Sequence, residues 1–523
     1  MDVRSDLQRV EALPNARAVE LKETHISLVF LAETDVFKVK KPVNLGFLDF
    51  STQEQRHAAC EAEVELNRRL AKDVYLGVVP VRLGADGRAT LLGEGPIVDW
   101  AVHMRRLPDE QSARECLLAN VLSARRMDEI AEAMATFHAG ARCDELTTSF
   151  GAPEVIAKNV SENFAQTRAA DLLTTAEASE IEAWQSGMLE REHAKFESRQ
   201  REGHVRDGHG DLRLEHVYFT NNGVRVIDCI EFNERFRFGD VAADVAFLSM
   251  DLAKEGHVEL SERFLASYAR AADDFDLYTV VDFYESYRAY VRAKVALMLA
   301  ADASVSDDVR TKAVAEARRC LLLSLAAKRP SMLSPIVVAV GGLIASGKST
   351  IASLVGELLS APVIDADRTR KHMLGRAHTE RVGDAAWTGA YDPAFTEEVY
   401  AEVLRRAGVV LGSNRPVVID ASFRSRHMRA AVVELARQYD VPYAFVECRV
   451  DEHVCKERLL ARETGPQVSD ARLAVFEAFR AQWEPVIELP DHRHIVLDTA
   501  QPLDRAERRL RARVATWPKG LHA

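Results

Sequence analysis

The chain has 523 residues, of which 47% are hydrophobic, so we expect a globular protein with two or three domains rather than a single core. Its 68 basic and 80 acidic side chains give a formal net charge of −12, which does not favour a nucleic-acid partner or a membrane surface. No secretory segment, no apolar run of membrane-spanning length and no C-x-x-C pair among seven cysteines is seen, which predicts a cytoplasmic protein with reduced thiols.

The first predicted elements are two strands, at residues 25–31 and 35–41, separated by a short polar turn. Side chains alternate along a strand, so Lys38 and Lys40 share one face of the second strand. A strand lysine taken alone is usually a solvated edge residue. These two lysines therefore gain a function only if other segments supply partners for them.

A helix is predicted at residues 52–70, and a further strand at residues 100–107, before Pro108. The helix carries Glu63. A helical glutamate taken alone is usually on the surface, so a role for this residue also depends on partners from later segments of the chain.

The segment GHGDLRLEHVYF, residues 208–219, precedes an apolar strand predicted at residues 224–231, which ends in acid. A histidine, an aspartate and then a strand with a second aspartate is the order in which kinases place two carboxylates around one phosphate. Asp211 would accept the proton of the attacking hydroxyl, and Asp228 would hold Mg²⁺. The alternative is a turn aspartate and a buried aspartate with no joint task. It leaves unexplained why the lysine and the glutamate precede both acids in kinase order.

These residues, with GDVAADVAFLSMDL at residues 239–252, resemble the aminoglycoside phosphotransferase family, which has a bilobal, protein-kinase-like α+β fold. The resemblance covers about residues 24–328. It implies that Asp211 lies on the catalytic loop and that Asp228 is the metal-binding aspartate.

The same resemblance implies how ATP would bind. Lys38 or Lys40 would contact the phosphates, paired with Glu63. Residues 100–107, with Met104 among them, would form the hinge against which adenine stacks.

Two departures from the family pattern matter. His216 stands where the pattern H-x-D-x-x-x-x-N has asparagine, and imidazole matches Mg²⁺ less well than oxygen does, so the second metal contact stays open. No glycine-rich loop precedes the lysine strand, so the turn at residues 23–27 would have to cover the phosphates. Asp240 and Asp244 are implied to cap and brace the catalytic loop.

The stretch KRPSMLSP, residues 328–335, has two prolines and two serines and is the predicted domain boundary. We expect a first domain at residues 1–330, with an N-terminal lobe to about residue 107 and a helical lobe after it. A second domain is expected at residues 335–523.

The second domain opens on GGLIASGKST, residues 341–350, between an apolar run and an amphipathic run. It contains G-x-x-x-x-G-K-[ST], whose glycines let backbone N–H groups surround phosphate oxygens at a helix N-terminus. Lys348 would reach the β- and γ-phosphates, and the Ser349 hydroxyl would ligate Mg²⁺. A glycine and serine turn with a chance lysine does not account for strand, loop and helix in this order. The predicted nucleotide-binding residues are Gly342, Leu343, Ile344, Ala345, Ser346, Gly347, Lys348, Ser349 and Thr350.

Strands alternate with helices after this loop, which predicts a parallel sheet with helices on both faces, an α/β fold. The predicted strands are at residues 362–367, 416–420, 442–448 and 494–497. This half resembles small P-loop kinases such as gluconate and shikimate kinases, and the related zeta-toxin and polynucleotide kinases, over about residues 334–517.

By that resemblance Asp367 positions or deprotonates the acceptor hydroxyl, Asp365 lies nearer the metal, and Asp420 holds Mg²⁺ directly or through water. Ligands bind at such strand ends in open α/β sheets. Arg458 and Arg462 lie four residues apart on one helix and would close on the phosphates as a lid. The alternative for these arginines is an ordinary exposed basic face.

The two sets of phosphate-handling residues predict a bifunctional enzyme that transfers phosphate from ATP, with Mg²⁺, to hydroxyl groups of small molecules. A second hypothesis makes only the P-loop domain catalytic and the first domain a nucleotide- or ligand-binding regulatory module, because His216 replaces asparagine. A third has the P-loop domain phosphorylate nucleotide sugars or nucleic-acid ends, which the net acidity weakens. No motif identifies the acceptor of either site or an oligomeric state.

Overall fold

The computed structural model describes residues 2–46, 48–168, 174–302, 305–326, 333–380, 382, 384–461, 473–517 and 519–521. Contacts divide the chain into two compact units. The first comprises Met1–Glu255 and Tyr287–Ser324, and the second comprises Gly256–Ser286 and Leu325–Ala523. Both units combine helices and strands, as the sequence predicted.

The strands of the first unit form a six-stranded antiparallel sheet and two short antiparallel ladders. The sheet contains β1 (Glu20–Glu23), β2 (Ser27–Leu31), β3 (Asp35–Lys40), β4 (Tyr75–Leu83), β5 (Ala89–Thr90) and β6 (Ile97–Arg105). Its order is β1-β2-β3-β6-β4-β5. The ladders pair β7 (Val205–Asp207) with β10 (Phe238–Asp240), and β8 (Val217–Thr220) with β9 (Gly223–Val226).

Most of the remaining first unit is helical. Its helices are α1 (Val3–Asp6), α2 (Gln53–Ala71), α3 (Ala113–Leu118), α4 (Ala124–Gly140), α5 (Glu145–Ser149), α6 (Pro153–Thr167), α7 (Thr175–Arg191), α8 (His193–Arg201), α9 (Glu234–Arg237), α10 (Val241–Lys254) and α13 (Asp307–Ala326). Helix α12 (Val281–Ala301) contributes residues to both units. Among the described helices none is long and apolar enough to cross a membrane.

Helix α2 packs on the sheet and begins at a reciprocal cap. Thr52 accepts a hydrogen bond from the Gln55 N–H, and the Gln55 side chain accepts one from the Thr52 N–H. Alternation along β3 turns Val36 toward Val64 of α2. Lys38 and Lys40 have the same parity as Val36 and therefore lie on the α2 face of the sheet.

The second unit is built on a five-stranded parallel sheet of order β12-β13-β11-β14-β15. The strands are β11 (Val337–Gly342), β12 (Val363–Asp365), β13 (Val417–Asp420), β14 (Tyr443–Arg449) and β15 (His494–Asp498). The helices are α11 (Val258–Ala272), α14 (Lys348–Leu359), α15 (Ala366–Met373), α16 (Pro393–Gly412), α17 (Arg426–Gln438), α18 (Glu452–Ala461), α19 (Phe476–Ala481) and α20 (Leu503–Val514). The predicted parallel α/β fold is confirmed.

Residues 256–286 belong to the second unit although they precede residues 341–350, here called the P-loop, by many residues. The buried Arg415 guanidinium binds the Glu262 carboxylate at 2.8 Å and Asp282 at 2.8 Å. Arg406 pairs with Asp273 at 2.8 Å. Buried ion pairs of this kind cost several kcal/mol to break, so this segment is an integral part of the unit.

Some predicted boundaries were wrong, and two of them concern site residues. The strand expected at residues 224–231 ends at Val226, and Asp228 comes after it with a left-handed φ of 64°. The strand expected at residues 362–367 ends at Asp365, so Asp367 lies in the first turn of α15 instead. Part of the boundary predicted at residues 328–335 lies outside the described residues, and so does Arg462. The domain limits near residue 330 stay a prediction.

Candidate active sites

The first candidate site lies where β3, α2 and the segment after β9 meet. The Lys38 ammonium Nζ lies 2.9 Å from Glu63 Oε1 and 2.5 Å from Asp228 Oδ1. Burial would raise the pKa of Asp228, but Lys38 and His216 outweigh it and hold that pKa well below its usual range. The predicted lysine, glutamate and aspartate therefore form one ion-paired chain.

A second lysine, Lys40, binds the other carboxylate oxygen of Glu63. Lys40 Nζ contacts Glu63 Oε2 and Glu231 Oε1. The Lys40 side chain has no exposed surface, whereas 11% of the Lys38 side chain is exposed. This difference favours Lys38 over Lys40 as the lysine that reaches a bound phosphate.

Asp211 lies on a loop that Asp244 holds in place. The Asp244 carboxylate accepts the His209 N–H at 2.6 Å and the Gly210 N–H at 2.8 Å. Gly210 has a φ of +84°, and a Cβ there would lie 2.7 Å from the Phe236 carbonyl oxygen, so only glycine fits. The loop is therefore fixed before any substrate binds.

Two further buried groups support this loop. His209 Nε2 donates to the Ile227 carbonyl oxygen at 3.0 Å, and burial lowers the pKa of His209 to about 4, so the ring is neutral near pH 7. Asp240 accepts the Ala242 N–H at 2.8 Å, which caps α10, and it binds Arg199 at 2.6 Å. The contacts of Asp240 and Asp244 are thus structural, as the family resemblance implied for these two residues.

His216 lies between the two site acids. Its Nδ1 is 3.5 Å from Asp211 Oδ2, and its Nε2 is 3.6 Å from Asp228 Oδ2. Arg213 Nε forms an ion pair with Asp211 Oδ1 at 3.0 Å, but the two atoms do not form a hydrogen bond. Burial would raise the pKa of Asp211, but Arg213 and His216 outweigh it, so the pKa lies below its ordinary value. Asp211 is therefore ionised and able to accept a proton.

The predicted hinge residue Met104 is placed within β6, opposite Val36 of β3 and Tyr75 of β4. It is 7% exposed and belongs to the hydrophobic cluster under α2. The Tyr75 hydroxyl accepts the Asp228 N–H at 3.1 Å. Met104 thus packs near the strand end, and Tyr75 fixes the unusual backbone at Asp228.

The second candidate site is the loop between β11 and α14. Gly342 has a φ of +147°, and a Cβ there would lie 2.5 Å from the Cys448 carbonyl oxygen. Gly347 has a φ of 88° and caps α14. Ala345 is also left-handed, with a φ of 59°. These turns place Lys348 in the first turn of the helix, where its Nζ donates to the Leu343 carbonyl oxygen at 2.9 Å.

The outer side of this loop is tied to later segments of the unit. Arg458 of α18 donates to the Ala345 carbonyl oxygen at 3.3 Å and to the Thr499 carbonyl oxygen at 2.7 Å. The Thr499 hydroxyl donates to the Ser346 carbonyl oxygen at 2.6 Å. Arg458 therefore contacts the loop between β11 and α14.

Three carboxylates face the same cleft as the loop, those of Asp365, Asp367 and Asp420. Burial and the other two acids raise the pKa of Asp365. Burial and Asp367 also raise the pKa of Asp420, against the opposing charge of Lys348 and a hydrogen bond from Ser349. Arg270 of α11 is a further cation that favours the ionised form of both raised acids.

The cleft encloses about 1060 Å³ of space that no atom fills, its open mouth included. Its lining includes the P-loop and the three acids. It also includes aromatic and basic side chains, those of Arg370, Trp387, Tyr391, Tyr400, Arg424 and Phe479. The predicted P-loop residues Lys348 and Ser349 and all three predicted acids are thus brought together in one cavity.

The donor set at both sites suits phosphate with Mg²⁺. Mg²⁺ prefers oxygen ligands and keeps several waters and phosphate oxygens, so one or two carboxylates suffice. The described residues contain no group of three or more His, Cys, Asp or Glu side chains arranged to hold a metal by themselves. Within the described chain the Ser346 hydroxyl is buried in the P-loop without a hydrogen-bond partner, as expected of a donor for a phosphate oxygen.

Several residues of these sites were not predicted from the sequence. Glu231 and Tyr75 support the first site through Lys40 and the Asp228 backbone. In the second site these residues are Arg270, Arg370 and Arg424. Asp367 and Arg370 are one helical turn apart, so predicting a helix from residue 366 would have placed them on the same face.

Two parts of the chain match models of known protein families. Residues 21–284 match the family described as "Phosphotransferase enzyme family", and residues 337–486 match one described as "AAA domain". The chain belongs to the phosphotransferase enzyme family. The predicted resemblance of the two parts of the chain to two different families is confirmed, and the chain is a kinase.

Some relatives match over nearly the whole chain. Uncharacterized proteins of Mycobacterium tuberculosis (strain ATCC 25618 / H37Rv) and Mycobacterium bovis (strain ATCC BAA-935 / AF2122/97) are each 33% identical over 493 residues, which is 93% of this chain and 94% of the relative. A gluconokinase from Sinorhizobium meliloti 1021 is similar in structure over 36% of this chain and 96% of its own, at 24% identity and a TM-score of 0.26. A choline/ethanolamine kinase family protein from Mesorhizobium loti covers 62% of this chain and 97% of its own, at 14% identity and a TM-score of 0.37.

Proposed function

We propose that the chain is a bifunctional phosphotransferase, in which each unit transfers the γ-phosphate of ATP to a hydroxyl group of a small molecule. The observation that carries the proposal is the shared cleft in which Lys348, Ser349 and three carboxylates face one another. The ion-paired chain from Glu63 through Lys38 to Asp228 supports a second, separate site.

In the first site, Asp211 would accept the proton of the acceptor hydroxyl, since Arg213 and His216 keep it ionised. Lys38 would turn from Asp228 to a phosphate oxygen while Glu63 keeps hold of it. Asp228 is the residue that would hold Mg²⁺, which supplies positive charge at the phosphate oxygens when it is bound.

In the second site, backbone N–H groups of the P-loop and Lys348 would bind the triphosphate. Ser349, Asp365 and Asp420 would hold Mg²⁺, and Asp367 would position or deprotonate the acceptor hydroxyl. Arg458 would stabilise charge on the transferred group, because it already lies against the loop at Ala345. We extend the lid role to Arg462 on the spacing alone.

One observation favours the alternative in which only the P-loop unit is catalytic. His216 lies within 3.6 Å of Asp228 Oδ2, at the position where the family pattern has an asparagine oxygen ligand. A nitrogen ligand there would weaken Mg²⁺ binding in the first unit and leave a nucleotide- or ligand-binding regulatory module.

We further propose that residues 1–330 and 335–523 are the two domains. We also propose that the protein binds ATP, Mg²⁺ and small acceptor molecules and that it is located in the cytoplasm. The seven free cysteines favour a reducing compartment. Limited proteolysis of the full chain should cut first near residue 331 and leave two resistant fragments, which should stay bound to each other because residues 256–286 of the first fragment pack in the second unit. A first cut within β11 or α14 would contradict this boundary.

The function is tested by incubating the full chain with a cell-derived metabolite pool, Mg²⁺ and ATP labelled in its γ-phosphate. We expect labelled phosphate esters that are absent with the double variant Asp211→Asn, Lys348→Met. Labelling of nucleic-acid ends or nucleotide sugars would favour the toxin-like alternative, and equal labelling by the double variant would overturn the proposal.

A further inference from the structure

One lysine of the first unit lies among polar side chains but has no acid to pair with. Lys294 of α12 is partly exposed, and its Nζ donates to Asn163 Oδ1 at 2.6 Å and to Gln166 Oε1 at 3.1 Å, both on α6. Within the part of the chain that the structure describes, no carboxylate forms an ion pair with Lys294. An ammonium group has three N–H bonds, so one remains for a further acceptor.

The amide that holds Lys294 is itself incompletely paired. Asn163 is 4% exposed, and its Oδ1 accepts from the Lys294 ammonium. Its Nδ2 is buried beside the Tyr287 hydroxyl without a well-formed hydrogen bond to any described residue. A buried donor without an acceptor is costly, so this nitrogen also favours an acceptor from outside the chain.

Arg235 of α9 adds a second cation to this cluster. Its Nε donates to Asn159 Oδ1 at 2.6 Å, and its Nη2 binds the Glu162 carboxylate. Its Nη1 forms no hydrogen bond with a described residue. Burial and the charge of Arg235 lower the pKa of Lys294, and Glu162 opposes them. Two cations thus share one carboxylate, and one positive charge is in excess.

The alternative is that Lys294 is only a polar tether between α6 and α12. A neutral amide side chain could join the two helices by the same kind of hydrogen bond. Taking an ammonium group partly out of water without an anion beside it is costly. A structural tether therefore does not explain why this side chain is charged.

The cluster borders the loop that carries Asp211. The carbonyl oxygen of Phe236, the residue after Arg235, lies 2.7 Å from the position that a Cβ of Gly210 would take. Burial would raise the pKa of Asp211, and the charge of Arg292 on α12 is among those that outweigh it. The two helices that carry the cations, α9 and α12, therefore both lie beside this loop.

We propose that Lys294, Arg235 and the Asn163 amide bind an anionic group, a carboxylate or a phosphate, of the acceptor of the first site. The acceptor hydroxyl would lie at Asp211, and the anion at this cluster. The inference rests on the proposed function of the first unit. It narrows the acceptor to a hydroxylated anion, and it disfavours a polycationic acceptor, which the excess positive charge would repel.

The test measures how fast Lys294 of the full chain is methylated by formaldehyde and cyanoborohydride, with MgADP present to occupy the nucleotide sites. Acetate, methyl phosphate or acetamide is added at constant ionic strength, and the modified peptides are identified by mass spectrometry. We expect acetate or methyl phosphate to slow the methylation of Lys294 at least about fivefold at saturation, because a bound anion holds the ammonium form. Acetamide, the neutral counterpart of acetate, should not slow it. The stronger of the two anions identifies a carboxylate or a phosphate as the group recognised.

Lys158, which is exposed on the same helix as Asn163, is the internal control, and neither anion should slow its methylation. Equal protection by acetamide, equal protection of Lys158, or no protection of Lys294 by either anion overturns the proposal.

Two variants should shift the half-protecting anion concentration in opposite directions. Arg235→Gln should raise it about tenfold, because a charged donor is lost. Glu162→Gln should lower it about threefold, because the competing carboxylate is lost. The matched controls Arg437→Gln and Glu434→Gln change an exposed arginine–glutamate pair of α17 and should leave it unchanged. Shifts of the same sign in the first two variants, or equal shifts in the controls, contradict the proposed site.

Failure of this inference and failure of the proposed function give different results. The Lys348→Met chain is incubated with the metabolite pool and labelled ATP, so that the products come from the first site. Anion protection of Lys294 in a chain that labels no metabolite supports the anion site and overturns the phosphotransferase of the first unit. Labelling of uncharged acceptors that Arg235→Gln leaves undiminished supports the phosphotransferase and overturns the inference. With an anionic acceptor in hand, Arg235→Gln should raise the KM for that acceptor about tenfold while the KM for ATP stays constant.

Discussion

The two candidate sites hold their carboxylates in opposite ways. In the first unit, Asp228 and Asp211 are matched by cations of the protein, chiefly Lys38 and Arg213, and their pKa values are lowered despite burial. In the second unit, Asp365 and Asp420 lie with Asp367 in one cleft, and their pKa values are raised. The first site is electrostatically complete without ligands, and the second is not.

The charges of the protein maintain the two sites differently when no ligand is bound. Acids paired with buried lysines stabilise the fold, and removing one partner leaves an uncompensated charge. Acids that mainly face one another destabilise the fold until a cation arrives, because their ionised forms repel. Removing the charge of a site carboxylate should therefore lower the free energy of unfolding of the first unit and raise that of the second.

The largest effect is expected from Asp228→Ala in the first unit. Phosphotransfer at that site should fall by at least about 10³-fold, roughly 4 kcal/mol of transition-state stabilisation, because the proposed metal ligand is lost. His216→Ala should have a modest effect if imidazole contributes little. Steady-state rates with an acceptor of the first site measure both.

Equal losses in the Asp228 and His216 variants would instead make His216 a true ligand. Activity untouched by Asp228→Ala would refute the catalytic assignment. Asp228→Asn is the control for an effect of the alanine on the backbone, because asparagine tolerates the left-handed backbone that Asp228 adopts.

A loss of stability is expected from Glu63→Gln, which removes the carboxylate that Lys38 and Lys40 share; burial would raise the pKa of Glu63, but the two lysines outweigh it and lower that pKa. We expect the free energy of unfolding of the first unit to fall by about 3–5 kcal/mol. The surface variant Glu434→Gln, which removes only the exposed partner of Arg437, should change it by less than about 0.5 kcal/mol. Similar denaturant midpoints for the two variants would show that the lysine network is not needed by the fold.

The acid stability of the first unit should depend on His209. Because its native pKa is about 4 and its usual value is 6.5, the unfolded chain binds more protons between these pH values. The stability contributed by neutral His209 is thus present above pH 6.5 and lost as the pH falls toward 4, to a limit of about 3 kcal/mol. His209→Asn should flatten the fall of the unfolding free energy over that range.

The exposed His193 offers a matched control, since His193→Gln should keep the wild-type slope. An unchanged slope in the His209 variant would mean that another group governs the acid limb.

The smallest effect has the opposite sign. Asp365→Asn should stabilise the ligand-free second unit by about 1–2 kcal/mol at pH 7, because it removes a carboxyl whose ionised form is disfavoured there. Asparagine can still accept the Asp367 and Arg368 N–H groups that Asp365 Oδ1 accepts at 2.8 and 3.0 Å. The raised native pKa means that wild-type stability falls as the pH rises above the ordinary aspartate value, and the variant should lack this fall. Thermal unfolding at several pH values measures it, and destabilisation by Asp365→Asn would contradict the contrast between the two sites.

Local patterns were sufficient to predict much of both folds. The apolar strand, glycine loop and helix around Lys348 are contiguous, so spacing alone identified them. The order of Lys38, Glu63, Asp211 and Asp228 also follows the chain, and the structure brings Lys38, Glu63 and Asp228 into contact. Motifs of this kind carry their geometry with them.

Contacts made by distant segments could not be predicted in this way. Arg270 reaches the P-loop acids from α11, which precedes the P-loop and lies within the stretch matched to the phosphotransferase family. Asp228 was predicted inside a strand because its neighbours are apolar, whereas the Tyr75 hydroxyl holds its N–H in a left-handed turn. Tertiary contacts of this kind override local propensity and leave no periodic signal.

The central claim is that the chain has two phosphotransferase sites, and single variants of the full chain test it most directly. Transfer from labelled ATP is measured with one acceptor for each site, in Asp211→Asn and in Lys348→Met. We predict that each variant loses one activity, by roughly 10²-fold or more, and keeps the other. The contradicting result is an Asp211→Asn chain with every transfer rate unchanged beside a Lys348→Met chain that has lost them all.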